Sequence, residues 1–301
     1  MRAPPFSPRV SGITETSESR ALEVAGTALA VACLLGAAVM VGVRGAFEPW
    51  RYLVLFGFSV YFAGKGWTLR HAARRGVPST PGRVAGYLLL WPGMDATTFL
   101  DVRSRAAAPR RGAGAAAAGK TILGAAVLFG LARLVPADAV VARSGVGLLG
   151  FAWFVVFGAF HLLALAWQRA GARAEPLFDA PILARSLGEL WGDRWNCGYR
   201  DLARLCIVRP LRRRIGTRAA AAAAFAVSGV LHDLLISHAA NAGYGLCTLY
   251  FALQSAAVLL ERRPSRLRTI LVALPTAFLL FHPAFLERVF LPWMAAWGAF
   301  A

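Results

Sequence analysis

Apolar residues in this 301-residue chain gather into blocks close to the roughly 20 residues a helix needs to cross a hydrocarbon core. The blocks fall at about 21–43, 52–64, 121–136, 145–167, 218–237, 244–260, 269–285 and, shorter, 288–300. Outer-membrane barrels instead show short alternating segments, which this sequence lacks. Only 16% of residues are charged, against about a quarter in soluble chains, and 57% are hydrophobic. The expected fold is all-α: a polytopic transmembrane helical bundle of about eight spans with interfacial amphipathic helices. Residues 1–20, rich in Pro, Ser, Thr and charge, read as a disordered N-terminal tail, and 21–301 as a single membrane-embedded domain. The block 21–43 is too long for a signal-peptide core and reads as a retained anchor.

The net charge of +18 could suggest nucleic-acid binding, but the arginines sit between the apolar blocks, the pattern that orients membrane helices. Nucleic acid is therefore not an expected partner. Segments 65–83, 96–120, 168–217 and 261–268 are arginine-rich, whereas 44–51, 137–144 and 238–243 are poor. All rich segments share one face only if 84–95, with its Pro92-Gly93 break, enters the membrane and returns. The N-terminus is then cytoplasmic, and the expected location is a bacterial inner membrane. Cys33, Cys197, Cys206 and Cys247 have no metal-binding spacing, so structural zinc and a disulfide framework are not expected.

The costliest residues lie in 218–237, where His232 and Asp233 stand side by side in an Ala-rich apolar run. On a helix Ser228 and His232 share one face, and Asp233 and Ser237 the next. Ala219–Ala224 are small enough for neighbouring helices to approach. A polar sector of this kind faces the bundle interior, where His232 can serve as a weak base or only as an interhelical hydrogen-bond donor.

Upstream, 168–217 mixes aromatic, apolar and charged residues, and Trp191 and Trp195 would share a helix face at the headgroup level. The Asn196 amide could hold a carbonyl or cap a helix. Arg209, Arg212, Arg213, Arg214 and Arg218 fit either anionic-lipid attraction or the phosphates of a nucleotide-bearing donor. Glu23 and Lys65 are expected to snorkel from helix ends, and His238 and His282 to be interfacial. His161, after an aromatic run, could line the same cavity as His232. Trp50, Trp67, Trp293 and Trp297 look like interface anchors.

The clustered histidines of di-iron enzymes, the repeated aspartates of magnesium-dependent prenyltransferases and the contiguous motif of lipid phosphatases do not occur. What the sequence does carry is Ser186-Leu-Gly-Glu-Leu-Trp-Gly-Asp-Arg-Trp-Asn196 with Tyr199-Arg200, then Ser228-Gly-Val-Leu-His232-Asp233. This pair, in order and spacing, resembles the wax synthase branch of the membrane-bound O-acyltransferases, where F-W-G-R-R-W-N and F-R precede S-G-L-x-H-E. Trp91-Pro92-Gly93-Met94-Asp95 is similar to a Pro-Gly-Met turn upstream in that family, and the likeness spans about 85–260. Leu190, Asp193, Tyr199 and Asp233 depart from the pattern, and Asp193 reverses a charge.

The resemblance implies acyl transfer from acyl-CoA to a lipophilic alcohol, with His232 activating the hydroxyl and Asn196 orienting a reactant. It places Trp191, Arg194, Trp195, Arg200, Ser228 and Asp233 around the substrates. It implies no cofactor beyond acyl-CoA as co-substrate, and membrane lipid as surroundings. A lipid or small-solute transporter whose polar sector lines a pathway is the alternative, and a non-catalytic assembly protein a third. The oligomeric state is not encoded in any pattern.

Overall fold

The computed structural model describes residues 17–300, and every regular element among them is helical. In chain order the principal helices are α1 (Ser17–Gly42), α2 (Pro49–Arg74), α3 (Pro81–Leu89), α4 (Ala96–Leu100), α5 (Ala113–Leu134), α6 (Val140–Arg169), α7 (Cys197–Ala240), α8 (Leu246–Leu260), α9 (Arg266–Leu280) and α10 (Pro283–Ala296). Helices α1, α5, α6 and α7 are long and apolar enough to cross a membrane. The bent pair α9–α10 can count as one more span.

Three boundaries correct the expectations. Residues 17–20, expected in the loose tail, form the first turn of α1, while 1–16 lie outside the described residues. The blocks 269–285 and 288–300 form two arms of one bent pair meeting at 57°, which by length and composition makes one span at most. His282 and Pro283 explain the bend: proline supplies no N–H, and the His282 ring caps the new helix by accepting the Phe285 N–H at 3.3 Å. His282 is accordingly buried rather than interfacial. The block 218–237 is part of the 44-residue α7, which breaks at Gly216, where φ is +81°. Asp233–Ser237 form a widened π turn near its C-terminal end. Such turns recur at functional sites.

Helix α3, at nine residues, is too short to cross. The chain then turns through Trp91-Pro92-Gly93 into α4, which packs back on α2. Lys65 holds this turn. It lies inside α2 with no exposed surface, which corrects the expectation that it snorkels. Its Nζ donates to the carbonyls of Tyr87 at 2.9 Å, Gly93 at 2.6 Å and Trp91, and lies 3.6 Å from the centre of the Tyr87 ring. The end of a short helix buried among helices leaves carbonyls that water cannot reach, and the ammonium satisfies them. Glu23, also expected to snorkel, pairs with Arg74 at 2.6 Å and Arg70 at 3.7 Å, clamping α1 to α2.

Candidate active site

The segment before α7 is folded by its own polar residues. The Ser186 hydroxyl accepts the Glu189 N–H at 2.9 Å and starts a short helical turn, which continues as a π turn over Leu190–Arg194. Glu189 accepts from the Arg185 N–H at 2.7 Å and from Arg194 Nε at 2.6 Å. These two donors, the main-chain one first, hold its carboxyl below the usual glutamate range. Arg194 also donates to the Asp179 carbonyl at 2.9 Å. Arg200 braces the Gly192 carbonyl at 3.0 Å and Asp201 at 2.8 Å. Both arginines, expected at the substrates, are thus engaged in holding this segment together.

Asn196 sits at the head of α7 with φ +44°, a left-handed conformation that asparagine tolerates better than most residues. Its Oδ1 accepts the Tyr199 N–H at 3.4 Å, so its carbonyl caps the helix, and its N–H donors stand open to a ligand. Two residues on, Gly198 packs against the re-entrant turn. A Cβ there would meet Gly93 Cα at 3.3 Å and Met94 N at 3.4 Å.

The second motif lies further along α7. A Cβ at Gly229 would sit 2.9 Å from Thr248 Cα, so this glycine lets α8 approach closely. His232 Nδ1 lies 2.7 Å from the Ser228 carbonyl oxygen, not its hydroxyl. A carbonyl can only accept, so Nδ1 carries a proton, and in the neutral ring Nε2 then keeps its lone pair. The ring lies 4.6 Å, centre to centre, from Phe251 of α8.

Asp233, which the resemblance places around the substrates, faces α8. It accepts from Ser237 at 2.8 Å, as the four-residue spacing implied, from the N–H groups of Gly245 and Thr248 at 3.0 Å each, and from the Thr248 hydroxyl. Gly245 and Thr248 open α8, so Asp233 is a helix cap supplied by a neighbouring helix.

Aromatic rings join the two motifs. Trp191 and Trp195 do not share a regular helix, since Trp195 is extended, yet their rings lie 6.3 Å apart. Trp191 also packs on Phe251 at 6.0 Å and on Phe225 at 5.7 Å. The order is therefore Trp195, Trp191, Phe251, His232, with Asn196 next to Trp195 in the chain. No hydrogen bond or ring contact joins Asn196 directly to His232 among the described residues.

A cavity of about 240 Å³ opens elsewhere, at the arginine-rich end of α2 and the start of α7. His71, Arg75, Asp95, Asp201, Arg204 and Arg209 line it, and His232, Asn196 and His161 do not. Phe251, Thr248 and the buried Gln254 escaped the sequence reading. Cys247, Tyr250, Phe251 and Gln254 recur at helical spacing on the buried face of α8, and a glutamine in that row was the available signal.

Residues 174–253, which hold Asn196 and His232, match the model of the Membrane bound O-acyl transferase family. The chain is 33% identical over 86 residues to a "Long-chain-alcohol O-fatty-acyltransferase" of Simmondsia chinensis, covering 26% of this chain and 24% of the relative. It is 37% identical over 71 residues to a "Probable long-chain-alcohol O-fatty-acyltransferase 6" of Arabidopsis thaliana, covering 22% and 20%. The matches thus span about a quarter and a fifth of the relatives' lengths. Over this stretch they bear out the resemblance to the wax synthase branch.

Proposed function

We propose that this chain is an integral-membrane O-acyltransferase that moves a fatty acyl group from acyl-CoA to the hydroxyl of a long-chain or otherwise lipophilic alcohol. The observation that carries this reading is the 2.7 Å approach of His232 Nδ1 to the Ser228 carbonyl oxygen. The Nδ1–H is committed to that carbonyl, leaving Nε2 of the neutral ring as a bare acceptor within the stretch that matches the acyltransferase family.

In the reaction the alcohol O–H donates to His232 Nε2 while its oxygen attacks the thioester carbonyl carbon. The C–O bond forms, the C–S bond breaks, and the thiolate leaves with the proton held on Nε2. Asn196, with its carbonyl engaged in the cap, contributes N–H donors to the carbonyl oxygen as charge builds there. The donor's phosphates enter at the arginine-rich face, where the cavity carries Arg75, Arg204 and Arg209, and the alcohol arrives from the bilayer. That face is cytoplasmic, with the N-terminus on the same side of a bacterial inner membrane.

The test is purified protein in detergent, supplied with long-chain acyl-CoA and a panel of lipophilic alcohols, with products read by mass spectrometry. Ester formation that disappears in His232→Ala is the expected result. Solute movement across vesicles with no covalent product would overturn the proposal in favour of a transporter.

A further inference from the structure

Gln254 lies in the middle of the apolar helix α8 with no exposed surface. A buried amide among apolar residues is costly unless both of its ends are satisfied. Here both are. Trp191 Nε1 donates to Gln254 Oε1 at 3.2 Å, and Gln254 Nε2 donates to the Thr276 hydroxyl of α9 at 2.8 Å. The indole N–H can only donate, so the orientation of the amide is fixed by chemistry. Gln254 is the side-chain link from Trp191 itself to α8, and Glu261 at the end of α8 separately accepts the Leu187 N–H at 3.2 Å.

Three anchor points then fall at equal intervals along α8. Asp233 caps it at Thr248, the His232 ring lies on Phe251, and Trp191 hangs from Gln254. Successive points are three residues apart, or about 4.5 Å along the axis. Helix α8 therefore acts as a gauge that sets the asparagine-bearing segment against the imidazole-bearing helix.

We infer that Gln254 is a positioning residue for the acyl transfer: through Trp191 it holds the Asn196 segment in register with His232. This inference rests on the acyltransferase reading. Its effect falls on alignment in the transition state, and so on kcat rather than on donor affinity, because the arginines lining the cavity lie on other elements.

The test is a double-mutant cycle on purified full-length protein. Gln254→Met keeps the volume and removes both polar ends, and Trp191→Phe keeps a ring and removes the N–H. Each single variant should lower kcat about tenfold, the loss of one hydrogen bond to a buried group, with KM for acyl-CoA unchanged. The double variant should be no worse than Gln254→Met alone, because that substitution already removes the Trp191 bond together with the one to Thr276. Losses that multiply, or single variants that leave kcat at the wild-type value, would overturn the inference. Should Gln254→Met fail to fold, Trp191→Phe alone decides between a lowered kcat and an unchanged one. A wild-type chain that makes no ester sinks the acyl-transfer reading and this inference with it. Turnover in the wild type with independent variants sinks this inference alone.

Discussion

Lys65 Nζ lies 2.6 Å from the Gly93 carbonyl oxygen, and Gly93 in turn is the residue against which Gly198 packs. A single buried ammonium thus reaches the head of α7 through one turn of chain. Its own partners are main-chain carbonyls, which fix where Trp91–Met94 sit. Asn196 lies two residues before Gly198, and the Cys197 N–H between them donates to the Leu177 carbonyl at 2.9 Å.

Replacing Lys65 with Met should leave those carbonyls buried and without donors. A stability loss on the order of 3 kcal/mol is expected, seen as a lower thermal midpoint in detergent. Lys65→Arg should recover only part of it, since a planar guanidinium cannot reproduce the three-way donation of an ammonium.

His232→Ala should behave in the opposite way. The ring's hydrogen bond is to its own helix, so membrane levels and thermal midpoint should stay near wild type. Ester formation should fall by about 10²–10⁴-fold, the range for removing a general base. Product formation by mass spectrometry, normalised to purified protein, checks both halves.

Asp233→Ala should destabilise the protein while leaving KM for both substrates unchanged in the fraction that folds. The carboxylate caps α8 through Gly245 and Thr248, and loss of such a cap costs about 1–2 kcal/mol. A rise in KM for the alcohol with no change in stability would return Asp233 to the substrate-contact role read from the sequence.

Glu189 gives a pH signature. Its carboxyl is held below the ordinary range in the folded chain by the Arg185 N–H and then by Arg194. Its stabilisation is therefore present above the unfolded value of about 4.3 and is lost as pH falls towards the folded one. Thermal midpoints of wild type and Glu189→Gln should differ near neutral pH and converge once acid protonates Glu189.

The sequence made legible whatever depends on short spacing. The Asp233–Ser237 pairing, the capping role open to Asn196 and the contact between Trp191 and Trp195 all follow from residues a few positions apart. Illegible were the partners brought from afar. Lys65 looked like a snorkelling residue because its carbonyls lie more than twenty positions away in the chain. The capping role of Asp233 was hidden because the helix it caps begins after an intervening turn. His282 looked interfacial because the bend it caps leaves no periodic signature.

The break at Gly216 separates two tasks along α7. Upstream, four guanidinium-bearing positions from Arg209 to Arg214 must satisfy a wet, anionic plane, and downstream an imidazole must hold one azimuth about its axis in a low-dielectric medium. A straight rod would transmit every rotation of the first half to the second. The interrupted one lets the basic portion follow the lipid surface while the ring keeps its bearing.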